Sequence, residues 1–185
     1  SAWAGANSLT LGQVAVEEKS NEITAIPRLL RLLELEGALV SIDAIGCQTD
    51  IAQAIRDGGA DYLLQVKGNQ PTLEADILAT FEAAFAADFE GFEHDLYLCE
   101  SRGHGREEER ACCVLYDTSR ISGRDDCADL RAIVRVTRFR RVDGVETCEV
   151  AHYISSRKGG AEELGGAVRL HWGIENGLHW VLHVI

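Results

Sequence analysis

Apolar positions follow helical and strand periods in turn, and the changes of period outline the elements. Ile26, Leu29, Leu30 and Leu33 recur at i, i+3, i+4 and i+7, the stripe of an amphipathic helix. Thr24 can cap that helix, Pro27 falls in its first turn and Gly37 follows its end. The run ALVSID (38–43) is apolar on both faces until its final carboxylate and reads as a buried strand of the parallel type. Gly46 breaks it. A helix opens at Thr49 or Asp50, runs through Ile51, Ala54 and Ile55 and stops at Gly58-Gly59. DYLLQV (61–66) is a second buried strand, Lys67 to Pro71 a loop, and an alanine-rich helix follows from Thr72 to about Ala87. Ahead of these, SAWA and SLTLGQVAV form two short strands around Gly5-Ala6-Asn7. Strand alternating with helix predicts a sheet with helices packed on it.

The pattern changes at Glu93. From there to Ser156 the chain is strand-rich, and RAIVRVTRFRRV and VETCEVAHYISS flank Asp143-Gly144, a strong hairpin signal. SRGHGREEER (101–110) reads as a polar loop leading into another strand. Ala161 to Ile185 reads as a final helix, with Gly159-Gly160 before it and Gly165-Gly166 weakening its first turn.

Composition adds bounds. The 185 residues suit one domain with a sizeable core. Hydrophobic residues at 46% and charged ones at 26% exclude a disordered or fibrous chain. No apolar run is long enough for a membrane span, and the opening SAWAGANSLTLG shows no secretory signal. Six cysteines without any C-x₂-C pair argue for core thiols in a reducing compartment rather than a zinc framework. Adjacent Cys112 and Cys113, in a strand, point to opposite faces. A net charge of −12 argues against a simple nucleic-acid coat. It is compatible with an enzyme whose carboxylates hold cations against phosphates. The chain has no methionine, which fits either a processed initiator or an internal piece of something longer.

Three groups can carry chemistry. Asp43 ends a rigid strand at the sheet edge where α/β proteins build sites; equally, it can cap the next turn. The last helix holds Arg169, His171, Trp172, Glu175, Asn176, His179, Trp180 and His183. Steps of four drift by only about 40°, so His171, Glu175, His179 and His183 form one stripe suited to a divalent metal or to phosphates. The alternative is an amphipathic helix with Trp and Leu packed inside. Gln65-Val-Lys67, with Asp61 upstream, matches a short nuclease pattern; the alternative is a strand ending in a solvated lysine.

The segments NEITAIPRLLRLLELEGALVSIDAIGCQ, DYLLQVKGNQPTL, YISS and RLHWGIENGLHWVLHV, in this order, resemble the transposases of bacterial insertion sequences, and among them the H-repeat-associated group. The resemblance implies an α/β fold: a ribonuclease-H-like mixed sheet with flanking helices. A strand-rich insertion, 93–156, precedes the last helix, and the core comprises 1–92 and 157–185. It implies Mg²⁺-dependent (or Mn²⁺-dependent) DNA cleavage and strand transfer by an Asp-Asp-Glu triad, with two ions in the complete enzyme. By position Asp43 corresponds to the second aspartate and Glu175 to the glutamate, both metal ligands. Lys67, Asn69, Gln70, Arg169, His171 and Trp172 are expected to contact DNA. The implied partners are element-end and target DNA and further copies of the chain, in the bacterial cytoplasm at the nucleoid.

The sequence departs from the family pattern in three ways. The family's first aspartate lies on an earlier strand, and the early acids Glu17 and Glu18 follow the second strand and cannot take its place. His183 stands where an aspartate is usual. Val168 and His171 occupy the spacings of a tyrosine and an arginine in related transposases. The expectation is a catalytic domain truncated at both ends and inactive alone, the alternative being a non-catalytic remnant that binds DNA or a partner subunit.

Overall fold

The computed structural model describes residues 2–4, 9–12, 22–103, 106–142 and 144–182, with side chains described between 23 and 172 apart from 102–106 and 143. The expected Gly5-Ala6-Asn7 turn, residues 13–16 of the second strand, Glu17, Glu18 and His183 lie outside the described residues.

Strands β1 (Ala2–Ala4) and β2 (Leu9–Gly12) pair antiparallel as a small separate sheet. Helix α1 (Glu22–Leu30) follows. It starts two residues before Thr24 and ends short of Leu33, so Thr24 and Pro27 lie inside it rather than at its entrance. The chain after Leu30 tightens into turns, with Leu32 and Leu33 donating to carbonyls three residues back. Strand β3 (Leu39–Ile42), helix α2 (Thr49–Asp57), strand β4 (Asp61–Val66) and helix α3 (Pro71–Ala86) match the pattern read from the sequence.

The region expected to hold a polar loop at 101–110 is instead a long hairpin. Strand β5 (His94–Gly103) pairs antiparallel with β6 (Arg106–Leu115). Charge does not prevent strand formation here, because opposite charges meet across strands. Glu108 takes Arg138 of the neighbouring strand at 3.8 Å, and Arg110, two residues along its own strand, at 2.6 Å. The predicted hairpin around Asp143-Gly144 is present as β7 (Ala132–Val142) and β8 (Val145–Ser155). Helix α4 (Ala161–Leu182) closes the described chain.

Strands β3 to β8 form one mixed sheet in the order β3-β4-β8-β7-β6-β5. Only β3 and β4 run parallel; β8 joins them antiparallel, pairing Leu63 with Ser155 and Val66 with His152. The strands of 93–156 therefore extend the sheet that β3 and β4 begin.

Strand alternation divides the interior into two layers. On one face Tyr62, Leu64, Val66, Cys113, Leu115, Ile133 and Ile154 pack with Ile51 and Ile55 of α2 and Ile77 and Phe81 of α3. On the other, Leu63, Cys112, Val114, Val134, Val136 and Tyr153 pack with Ala161, Leu164 and Val168 of α4. Cys112 and Cys113 do separate to opposite faces. Gly165 explains itself in this contact: a Cβ there would sit 2.9 Å from the Cys112 Cβ, so the glycine that weakens the helix lets it lie close on β6. All six cysteines are free, but they are not all core thiols: Cys47, Cys112 and Cys113 are buried, Cys99 and Cys127 partly so, and Cys148 lies in the exposed half of β8. Burial pushes the thiols of Cys47 and Cys112 up to about 12, so they behave as apolar fillers.

No described helix is long and apolar enough to cross a membrane.

Candidate functional site

Asp43 continues β3 beyond its last paired residue, with φ −68° and ψ 179°, an extended backbone. Leu39 packs into the layer under α4, while Val40 and Ile42 pack into the layer under α1 to α3. The alternation 39, 41, 43 therefore puts Ser41 and Asp43 on the side of α4. Asp43 is exposed, and its side chain makes no bond to the 3₁₀ turn that follows at Ala44–Gly46. This removes the capping alternative.

The turn folds back onto its own strand. The Gly46 amide donates to the Asp43 carbonyl at 3.0 Å. A Cβ on Gly46 would meet Ile42 Cγ2 at 2.3 Å, so no larger residue fits without displacing Ile42. The residue that breaks the strand thus also sets the sharpness of the turn behind Asp43.

The loop after β4 closes on this turn. Asn69 Nδ2 donates to the Ala44 carbonyl and Gln70 Nε2 to the Cys47 carbonyl, both at 2.7 Å. Lys67 is exposed in the same loop and forms no ion pair among the described residues. Helix α4 reaches the strand from the other direction: His171 Nδ1 and the Ser41 hydroxyl share a hydrogen bond of 3.1 Å.

Glu175 lies on α4, one helical turn past His171, but its side chain is outside the described residues, as are those of Asn176, His179 and Trp180. Among the described residues no three His, Cys, Asp or Glu side chains converge as a metal-binding group. Asp43 offers a hard oxygen donor of the kind Mg²⁺ takes, on a strand end and uncommitted to the turn behind it.

The other expected contacts separate around α4. Arg169 is exposed and lines a cavity of about 190 Å³ with Tyr97, Arg110 and Glu162. Trp172 packs into the α4 layer and has the Arg138 guanidinium 4.7 Å from its ring centre. The arginines at 135–141 do not make a free basic stripe. Arg138 pairs with Glu149 and Glu108, and Arg141 with Glu146 and Glu107. Arg135 lies over the Phe85 ring.

The geometry is against the nuclease reading of Asp61 with Gln65-Val-Lys67. Asp61 opens β4 and Lys67 follows its far end, a span of about 20 Å at roughly 3.3 Å per residue. Asp61 is also engaged: Arg56 meets it at 2.6 Å, Arg157 at 2.9 Å and the Ser156 hydroxyl at 2.8 Å. Burial pushes this carboxyl up, but the bonds from Arg157 and Ser156 and the charge of Arg56 win and hold its pKa below the ordinary carboxylate value. Neither Arg56 nor Arg157 stood out in the sequence, because nothing in their spacing links them to Asp61.

His152 was also missed. It sits 7% exposed beside the Phe81 ring, and burial, with the charge of Arg135 adding, lowers its pKa to about 4. Its place in an alternating strand signalled burial, but only the docking of α3 reveals the neighbour.

Comparison with known proteins bears on this arrangement. The family model described as "Transposase DDE domain" matches residues 2–184. The chain is 42% identical over 189 residues to a protein named "Putative transposase YncI" from Escherichia coli O157:H7, covering all of this chain and 47% of that one. It is 40% identical over 192 residues to "H repeat-associated putative transposase YhhI" of Escherichia coli (strain K12), covering all of this chain and 50% of that one. A Xanthobacter autotrophicus protein, described as lying in the dhlA 3′ region, is 36% identical over 155 residues, with 84% of this chain covered and 51% of its own. The chain thus spans about half the length of these curated relatives. No solved structure matches.

Proposed function

This chain belongs to the transposase DDE-domain family, whose fold is ribonuclease-H-like, and from that premise we propose that it carries two of the metal-holding carboxylates of a DNA strand transferase, Asp43 and Glu175. On this reading residues 1–92 and 157–185 are the catalytic core and 93–156 an insertion. The observation that carries the proposal is the Ser41–His171 hydrogen bond. Ser41 stands two residues before Asp43 on one sheet face, and His171 four residues before Glu175 on the helix covering that face. The strand ending in the aspartate and the helix bearing the glutamate are thereby held together.

Asp43 and Glu175 would hold Mg²⁺ or Mn²⁺, which when bound supplies charge stabilisation for in-line phosphoryl transfer. The protein's own residues do the placing. The end of β3 carries Asp43, and α4, bonded to β3 through His171 and Ser41, carries Glu175 on the helix that covers that face. On this reading Lys67, Asn69, Gln70 and His171, on the loop and helix beside the end of β3, meet the scissile strand or its flank, Lys67 as a point charge on phosphate. Arg169 and Trp172, on the side of 93–156, meet flanking duplex. DNA as substrate implies work in the bacterial cytoplasm at the nucleoid, by copies of the chain assembled on element ends.

These 185 residues contain no aspartate before Asp43. With one triad carboxylate wanting, we infer that the chain alone does not cut DNA. The second reading is a non-catalytic transposase relative that binds DNA or a partner subunit. Incubation with Mn²⁺ and a labelled element end tests both readings. The expected result is DNA retention without nicking. Nicking lost in Asp43→Ala would overturn the inactivity and the non-catalytic reading together. Separation of the Asp43 and Glu175 carboxyls by more than about 10 Å in a metal-soaked crystal would overturn the site, because paired metals lie only about 4 Å apart.

A further inference from the structure

We propose that Asn69 and Gln70 are positioning residues for the Asp43 carboxylate, an inference that rests on reading Asp43 as a metal ligand. Asp43 is exposed, and its side chain makes no bond to its own turn. Burial therefore does not fix where that carboxylate points; the backbone that carries it must. That backbone joins the end of β3 to a three-residue 3₁₀ turn at Ala44–Gly46, whose hydrogen-bond geometry is poor.

Two side-chain amides from the neighbouring loop grip it. The Ala44 carbonyl accepts from Asn69 Nδ2 and the Cys47 carbonyl from Gln70 Nε2, so the bonds bracket the turn at both ends. Gln70 has another use open to it. It stands at the N-cap of α3, where a side-chain oxygen could take one of the helix's first amides, yet it makes no cap bond. A cap bond there would stabilise α3, and the side chain reaches the Asp43 turn instead. The Gln70 backbone N–H donates to the Lys67 carbonyl at 2.8 Å, which keeps the gripping loop compact. The grip links the ends of two parallel strands, so the Asp43 turn moves with the sheet rather than with solvent.

The test follows the amide NMR signals of residues 43–48 in the ¹⁵N-labelled chain during Mn²⁺ titration. Wild type is compared with Asn69→Ala, Gln70→Ala, the double variant and Asp43→Ala. Gln53→Ala is the control, because it removes a similarly exposed side-chain bond, to Asp57 at 2.7 Å, away from the turn. Wild type should show Mn²⁺ broadening that Asp43→Ala abolishes. Each clamp variant should speed exchange of the Gly46 amide, and the double variant should need about tenfold more Mn²⁺ for the same broadening, the usual cost of losing a residue that orients a ligand. The control should change neither. An unchanged Mn²⁺ requirement in the double variant overturns the positioning role while the Asp43 reading stands. Broadening that ignores Asp43→Ala overturns that reading, and the inference falls with it. The single variants, each lacking one exposed or half-buried contact, keep the measurement available if the double variant unfolds.

Discussion

Asp43 and Asp61 stand at opposite ends of two neighbouring parallel strands, and the fold treats them in opposite ways. Asp61, at the start of β4, receives two guanidinium groups and a serine hydroxyl. Arg157 carries the network on to Glu163 and to the Gly37 carbonyl. It therefore ties β4, the end of β8, the entrance of α4 and the loop before β3 to one carboxylate. Asp43, past the end of β3, is exposed, and its side chain makes no bond to the turn behind it. A charge whose hydrogen bonds are filled supports the fold and has no capacity left for a ligand. A charge held on a rigid element and left open has the reverse character. The contrast separates two aspartates whose positions in sequence look alike, each at the margin of an apolar strand.

The contrast predicts a graded set of effects. The largest is with pH. Folded His152 stays neutral down to about pH 4, whereas the unfolded chain takes up its proton near the ordinary value of 6.5. Stability is then fully present above 6.5 and falls as pH drops towards 4, by roughly 3 kcal/mol. Urea midpoints across that range should show the slope, and His152→Leu should flatten it. Below it, the lowered pKa of Asp61 adds a further loss as that carboxylate is protonated.

Next is Asp61→Asn. It leaves Arg56 and Arg157 without their charged acceptor and should cost about 2 kcal/mol in urea unfolding. A loss under about 0.5 kcal/mol, ordinary for a surface change, would break the contrast. Gly46→Ala should cost about 1–2 kcal/mol by overpacking, because the new methyl must displace Ile42. It should also disturb the Asp43 turn, which amide exchange would register. The smallest effect belongs to Asp43→Asn. Its urea midpoint should stay within about 0.5 kcal/mol of wild type while the Mn²⁺ response disappears. A large stability loss there would mean that Asp43 is structural after all.

Much of the fold was legible because burial imposes period. The i, i+3, i+4, i+7 stripe of α1, the apolar runs of β3 and β4 and the turn signal at Asp143-Gly144 each specify an element locally. The error at 101–110 has the opposite cause. Glu107, Glu108 and Glu109 read as loop residues when taken singly. They become strand residues when Arg138 and Arg141 lie across the sheet, and that pairing needs β7 in place.

The site divides in the same way. A strand ending in Asp43 and a helix carrying His171 and Glu175 could be named from sequence, since each is a local pattern. The grip of Asn69 and Gln70 on the turn after Asp43 could not, because it joins residues 23 and 25 positions apart through side-chain amides that look equally suited to solvent or DNA. Nor could the engagement of Asp61, whose partner Arg157 is 96 positions away. The sequence by itself determined most of the helices and strands and which carboxylates end strands, because these follow from local period and burial. Tertiary structure alone decided which charges are neutralised and which stay open, because that depends on what the sheet brings from distant parts of the chain to each strand end.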